Sequence, residues 1–280
     1  MALDRNALWY VGGRWVHPQD ATLSINDIAI LRGYSAFEAL RTYNRRPFHL
    51  EEHLKRLYRS AEIIELAIPW PPEFVSNVIN EVIARNTYNH AAIRLLVTGG
   101  ESEDGLMPTG QPTLVVIITP LGERDMQRFA RGIKLITSRL QRESPEAKPT
   151  SYTAAVRSLK EAARRGAADA LYVNESGQVL EATRSNFFIF RGDTLVTPRE
   201  GVLHGITRGV VLELARGRFP IEERPIQLEE LALADETFIS SSSREITPVV
   251  QIDDLVIGDG KPGPRTYELE QRFIEMVDRY

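Results

Sequence analysis

The sequence predicts an α+β protein of two domains with largely antiparallel sheets, and three observations carry that prediction. At 280 residues the chain is about twice the length of a typical domain. Turn-flanked apolar pairs recur in both halves. Strands and helices do not alternate regularly, which argues against a doubly wound nucleotide fold. Apolar residues at 42% and charged residues at 26% suit a globular chain able to bury a sizeable core.

The elements follow in order. Leu8–Val11 and Arg14–Val16 flank Gly12-Gly13 as a hairpin whose glycines supply a tight turn. A short strand is expected near Ala21–Leu23, followed by an apolar run over Ile28–Tyr43 and a hairpin closed by Asn44-Arg45-Arg46-Pro47. His49–Leu66 repeats apolar residues at helical spacing (Leu50, Leu54, Leu57, Ala61, Ile64). A second helix is expected from Pro71 to Arg85, with prolines in its first turn. Ala91–Val97 and Pro112–Thr119 are β-branched strands on either side of an acidic Gly-rich loop, Gly99–Gly105. Turn and charge signals after Pro120 set the expected boundaries: a domain over 1–120, a linker over 121–130 and a domain over 131–280. The second half reads as a strand at Gly132–Thr137, a helix from Thr153 to Arg165 ended by Gly166, and hairpins at 170–181 and 186–197. A helix opening at Gly205-Ile206-Thr207, a strand at Thr237–Ser240 and a terminal helix over Tyr267–Val277 complete it.

Composition excludes several classes. With 34 basic and 38 acidic residues well mixed and a net charge of -4, no basic stripe suggests nucleic acid or an anionic membrane. There are no cysteines, so disulfides, thiolate metal sites and a cysteine nucleophile are out. The five histidines form no HExxH motif, and no metal is expected. GxxxxGK[ST] and GxSxG are both absent. The first residues lack a basic stretch followed by an apolar run and no segment reaches membrane-span length, so a cytoplasmic protein is expected.

Lys148 lies on a short connection, Glu143–Tyr152, between the strand ending near Thr137 and the helix starting near Thr153. A lysine can serve as a nucleophile or Schiff-base former when buried and deprotonated, whereas most lysines are solvated. Gly205-Ile206-Thr207 and Ser240–Ser243 are turns where backbone N–H groups and hydroxyls point outward together, able to hold a phosphate or simply to cap an element. Glu181 closes the apolar run Val179-Leu180, where a carboxylate must reach solvent or pair with a buried cation. Together, a loop lysine, a strand-end carboxylate and two phosphate-grade turns are the parts that hold pyridoxal phosphate.

The chain resembles the class IV (fold-type IV) pyridoxal-phosphate aminotransferases, the family of branched-chain and D-amino acid aminotransferases and aminodeoxychorismate lyase. The likeness runs through Gly33–Glu38, His53–Leu57, Glu181–Phe187, Gly205–Arg208 and Glu245–Pro248. It implies a small α/β N-terminal domain, a larger pseudo-barrel C-terminal domain, pyridoxal 5'-phosphate as cofactor, amino acid and 2-oxo acid substrates, and a homodimer. It further implies that Lys148 is the Schiff-base lysine and Glu181 the partner of the pyridinium nitrogen. Arg56, Ile206, Thr207 and Ser242 correspond to phosphate-binding positions, and Tyr152 to the residue bonded to the cofactor's phenolic oxygen. Pro149 stands where the family often has a small or hydroxyl residue.

At the substrate end, Phe37, Arg32, Arg94, Ser243 and Arg244 are the candidates, with Arg32 entering from a partner subunit. Arginines grip carboxylates bidentately and suit a dicarboxylate such as glutamate or 2-oxoglutarate. The arginine–histidine pair of the better-known D-amino acid enzymes is replaced by Gly99–Asp104. The aromatic residue of branched-chain enzymes is replaced by Arg32, although Arg41, Arg94 and Glu245–Pro248 resemble the branched-chain type. Leu31–Tyr34 and Gln141–Glu143 resemble a less usual group of D-amino acid aminotransferases. The expectation is therefore a D-amino acid transaminase working by ping-pong exchange, with an L-branched-chain aminotransferase and an aminodeoxychorismate lyase as alternatives.

Overall fold

Hydrophobic periodicity in the first 120 residues sorts into one sheet and two helices that cover it. The computed structural model describes residues 4–122 and 126–280. The elements of the first half are β1 (Trp9–Val11), β2 (Arg14–Val16), α1 (Ile28–Arg32), β3 (Ser35–Tyr43), β4 (Arg46–Pro47), α2 (Leu50–Ile63), α3 (Pro72–Ala84), β5 (Ala91–Thr98) and β6 (Leu114–Pro120). The chain divides into two compact units, the first being Met1–Glu123 with Ala147–Tyr152 and Tyr280, the second Arg124–Glu146 with Thr153–Arg279. The linker expected over 121–130 falls partly on residues 123–125, which lie outside the described residues.

In the first unit the strand order is β2-β1-β6-β5-β3-β4, antiparallel throughout. One face carries Ala36, Leu40, Ile93, Leu95, Val97, Val116 and Ile118, which pack on Leu54, Leu57 and Ala61 of α2 and Val75, Ile79 and Val82 of α3. Period 2 in the strands and period 3.6 in the helices bring these positions together. The expected strand at Ala21–Leu23 is irregular chain following a 3-10 turn at Pro18–Asp20; among the described residues no strand pairs with it to complete a ladder. The run Ile28–Tyr43 divides at Gly33. Asp27 caps α1 by accepting from Ala29 N at 2.8 Å, and Gly33 ends it at φ 70°, a left-handed turn that favours glycine.

The second unit contains α4 (Met126–Arg131), β7 (Ile133–Arg139), α5 (Thr153–Arg164), β8 (Asp169–Val173), β9 (Gln178–Ala182), β10 (Ser185–Arg191), β11 (Thr194–Thr197), α6 (Ile206–Ala215), β12 (Ile221–Glu223), β13 (Ile226–Gln227), β14 (Glu236–Ser241), β15 (Glu245–Ile252), β16 (Leu255–Val256) and α7 (Pro264–Asp278). Its strands run β12-β11-β10-β14-β15-β7-β8-β9-β13, and β9 also pairs with β10. That extra pairing closes β10, β14, β15, β7, β8 and β9 into a ring, the barrel-like sheet of an α+β fold. Inside the ring lie Leu135, Leu171, Val173, Val179, Ala182, Phe187, Ile189, Ile239 and Val249. Three pairings, β7–β8, β15–β7 and β11–β12, are parallel, while the others among the described residues are antiparallel, so this sheet is largely antiparallel with a parallel insert. Strand β15 is hidden in the sequence because Pro248 sits within it. That proline occupies a ladder position opposite Phe238, where proline is normally excluded from a central strand. Among the described residues no helix is long and apolar enough to cross a membrane.

Candidate active site

Lys148 is held along the edge of the first unit's sheet. Its carbonyl accepts from Phe37 N at 3.0 Å, and Thr150 N donates to Ser35 O at 3.1 Å. Residues 148–150 thus extend the sheet beside the start of β3, with Ala36 facing Pro149. Both ladder bonds come from the residues on either side of Pro149, so its missing N–H costs no bond. Lys148 N donates to Ser60 Oγ of α2 at 3.2 Å, and Thr150 Oγ1 bonds Ser35 Oγ and Gly33 O. With its backbone pinned, Lys148 places Nζ 4.5 Å from the Phe37 ring centroid, a cation–π contact. The Tyr152 ring meets the same Phe37 edge-on at 5.6 Å. Arg94 lies opposite Ala39, and Leu96 opposite Phe37. Directly opposed residues, and residues two apart on a strand, share a face, so Arg94 stands on the Phe37 face of the sheet.

Arg56 meets β3 from the other face. Its Nε and Nη2 donate to Glu38 Oε1 and Oε2 at 2.7 and 2.8 Å, and His53 Nδ1 bonds Oε2 at 2.8 Å. Glu38 is fully buried and His53 nearly so. Burial pushes the Glu38 carboxyl up, but the Arg56 guanidinium and His53 outweigh it and hold it well below the usual carboxylate range. For His53, burial lowers the imidazole's pKa more than Glu38 raises it. Arg32, in the last turn of α1, is exposed and donates to Leu31 O at 2.8 Å.

In the second unit Glu181 owes its direction to a bulge. The register passes from Leu171 opposite Ala182 to Val173 opposite Val179, so Leu180 and Glu181 together oppose Tyr172. Strict alternation would send Glu181 into the barrel with Val179. The bulge turns it outward instead, as bulges near functional sites commonly do. Leu180 packs on Tyr172 and Val202 outside the barrel. Glu181, 6% exposed, accepts from Arg142 Nε at 3.0 Å and Nη2 at 2.5 Å on Oε1. Asn186 Nδ2 at 3.3 Å and Leu203 N at 3.2 Å reach Oε2. Asn186 also donates to Leu203 O at 2.6 Å, which fixes the loop entering α6. A Cβ on Gly205 would come 2.0 Å from Asn186 Oδ1, so only glycine fits there.

That same loop presents Ile206 and Thr207, the first residues of α6. The helix has no side-chain cap and no acidic residue in its first turn, which leaves N–H groups facing outward for an anion. Ser242, Ser243 and Arg244 form the turn between β14 and β15. Beside them the Ser240 and Ser241 hydroxyls are buried with no hydrogen-bond partner among the described residues. Arg244 Nη1 lies 2.9 Å from Asp169 Oδ2 in a buried ion pair, and Nη2 donates to Ala168 O at 3.2 Å. Among the described residues no three His, Asp or Glu side chains gather to hold a metal.

The model of the Amino-transferase class IV family matches residues 35–252, more than half of the chain. The chain belongs to the class IV aminotransferases. It is 35% identical over 278 residues to a putative branched-chain-amino-acid aminotransferase of Methanocaldococcus jannaschii, covering 97% of this chain and 96% of that protein. It is also 33% identical over 275 residues to the D-alanine aminotransferase of Listeria monocytogenes serotype 4b, covering 95% of each. Among solved structures, the T.th. branched-chain amino acid aminotransferase with pyridoxamine 5'-phosphate superposes with a TM-score of 0.93 at 30% identity, covering 98% of this chain and 95% of that one. This class IV aminotransferase is therefore a pyridoxal-phosphate-dependent transaminase of fold type IV.

Its own residues fit that cofactor. The uncapped start of α6 and the unmet buried serine hydroxyls are donors of the kind a phosphate satisfies, and the carboxylate of Glu181 is already held by a guanidinium. The sequence does not single out Glu38, His53, Asn186 or Arg142 as site residues. The one signal is that a carboxylate at the end of an apolar strand must reach solvent or meet a cation, and the part-buried Arg142 is the cation it meets.

Proposed function

We propose that this transaminase moves an amino group between a D-amino acid and 2-oxoglutarate, as a homodimer. Lys148 is the covalent anchor of the cofactor. Glu181 faces its ring nitrogen, Tyr152 its phenolic oxygen, and Arg56, Ile206, Thr207 and Ser242 its phosphate. Bound there, pyridoxal phosphate supplies an aldehyde that captures amines and a ring that accepts the electron pair left at Cα. Lys148 Nζ, freed by the incoming amine, is the base that takes the Cα proton and the acid that returns it. Phe37 supports the acid half of this role, since its ring face lies 4.5 Å from Nζ and favours the ammonium that forms once Nζ has taken the proton.

The dicarboxylate preference rests on one observation. Arg94, on the same sheet face as Phe37, is exposed and, like Arg32, has no carboxylate partner among the described residues. A cation without a carboxylate of its own suits a substrate carboxylate, whereas Arg244 is already paired with Asp169. The D hand rests on the likeness of Leu31–Tyr34 and Gln141–Glu143. A second reading, L-branched-chain transamination, is favoured by the Methanocaldococcus relative and the Glu245–Pro248 run. The deciding experiment mixes loaded protein with D- and L-glutamate, alanine and leucine in turn and follows the visible band. D-glutamate should bleach it fastest and 2-oxoglutarate restore it. If L-leucine outruns every D-substrate, the second reading replaces the first. Release of pyruvate with no oxo acid consumed would instead mark a lyase.

A further inference from the structure

The guanidinium of Arg142 does two things at once. On one side it donates twice to Glu181 Oε1, from Nε at 3.0 Å and Nη2 at 2.5 Å. On the other, Nη2 donates to Pro145 O at 2.5 Å and Nη1 lies 3.5 Å from Ser144 O. Those two carbonyls belong to the connection that leads, three and four residues later, to Lys148. Glu181 is almost completely buried, and an ionised carboxylate is costly to bury without a paired cation. The neutral donors on it, Asn186 Nδ2 and Leu203 N, sit at 3.2–3.3 Å. Arg142 gives it two charged bonds, both shorter than these, and charge-assisted bonds are roughly twice as strong as neutral ones.

We infer that Arg142 is a positioning residue of the transaminase: it keeps Glu181 ionised and aimed, and fixes the start of the lysine-bearing loop to that same carboxylate. This rests on the proposed roles of Glu181 and Lys148. A carboxylate held as an anion is a weak base, so a proton shared with a pyridine nitrogen stays on the nitrogen. Without Arg142, burial favours the neutral carboxyl, and the proton no longer answers to a negative charge. The geometry of Arg142 adds what charge alone cannot. A planar fork with donors on two edges serves the carboxylate and the loop carbonyls simultaneously, which an ammonium does poorly.

The experiment compares wild type, Arg142→Lys and Arg142→Gln, each loaded with pyridoxal phosphate. First, borohydride reduction and peptide mass analysis locate the cofactor. Second, the visible band is titrated from pH 5 to 10. Third, the rate of the half-reaction is measured with Cα-protiated and Cα-deuterated amino donor. The expected result is that all three proteins carry the label on Lys148, with Arg142→Gln melting below wild type because the buried Glu181 loses its cation. Arg142→Gln shifts the titration of the visible band and slows the half-reaction roughly 10- to 100-fold, the size of a lost hydrogen bond to a charged group, with a larger isotope effect. Arg142→Lys recovers the titration but only part of the rate. An unchanged titration with a rate within about twofold in Arg142→Gln, on protein labelled at Lys148, overturns the inference and leaves the site reading standing. Absence of label at Lys148 in the wild type overturns both.

Discussion

The guanidinium of Arg56 grips the carboxylate of Glu38 through two parallel N–H bonds of 2.7 and 2.8 Å, with the carboxylate fully buried and the guanidinium mostly so between α2 and β3. Sequence alone makes Arg56 one charge on a helix of many charges. The carboxylate beneath it fixes its rotamer and supplies the counter-charge for a buried cation.

Replacing Glu38 with Gln therefore strands the Arg56 charge. Breaking a buried pair by removing one partner costs about 3–5 kcal/mol, and urea denaturation at pH 7 should show a loss of that order. A loss under about 1 kcal/mol, the range of surface pairs, would mean the pair is solvated and Arg56 is not held by it.

Acid should unfold the first unit in two stages. His53 is nearly fully buried with its pKa lowered, chiefly by burial, so the unfolded chain takes up a proton that the folded one refuses. Its contribution is complete above the unfolded value of about 6.5 and declines as pH falls below it. Glu38, also lowered, adds a second decline below its unfolded value of about 4.3. Thermal melts from pH 8 to 5 should fall for the wild type and flatten in His53→Gln, whose side chain can still bond Glu38. Parallel curves for the two proteins would show that His53 is not the group involved.

Two of the substrate-end arginines, Arg94 and Arg244, should separate experimentally. Arg94 has no carboxylate partner among the described residues, so Arg94→Ala should raise the KM for 2-oxoglutarate by roughly 10- to 100-fold, as for a lost charge-assisted bond, with little change in melting. Arg244 neutralises the fully buried Asp169, so Arg244→Ala should lower the melting temperature through a stranded carboxylate. Steady-state kinetics beside melting curves distinguish the two, and a KM effect confined to Arg244→Ala would reverse the assignment.

Much of this molecule is legible from sequence because its signals are local. Helical periodicity marks α2 and α3, glycine- and asparagine-bearing turns mark the hairpins, and the family likeness is what proposes Lys148 and Glu181. What is not legible depends on long-range register. The bulge that turns Glu181 out of the barrel needs β8 for its definition, since Val179-Leu180-Glu181 shows no alternation to interrupt. Strand β15 is hidden by Pro248, and the closure of β9 onto β10 has no counterpart in any window of sequence. Arg142 is in view as part of the approach to the lysine loop, yet its partnership with Glu181 joins residues 39 apart. The fixed backbone at Pro149 likewise becomes intelligible only when β3 is seen beside it.

The central claim is that Lys148 carries the cofactor. The chain has four other lysines, Lys55, Lys134, Lys160 and Lys261, so chemical trapping discriminates cleanly. Reduction of the loaded protein with borohydride, followed by proteolysis and mass spectrometry, should find the phosphopyridoxyl group on the peptide containing Lys148, and Lys148→Ala should carry none and lose transamination. A label on any of the other four lysines, or full activity in Lys148→Ala, would contradict the account.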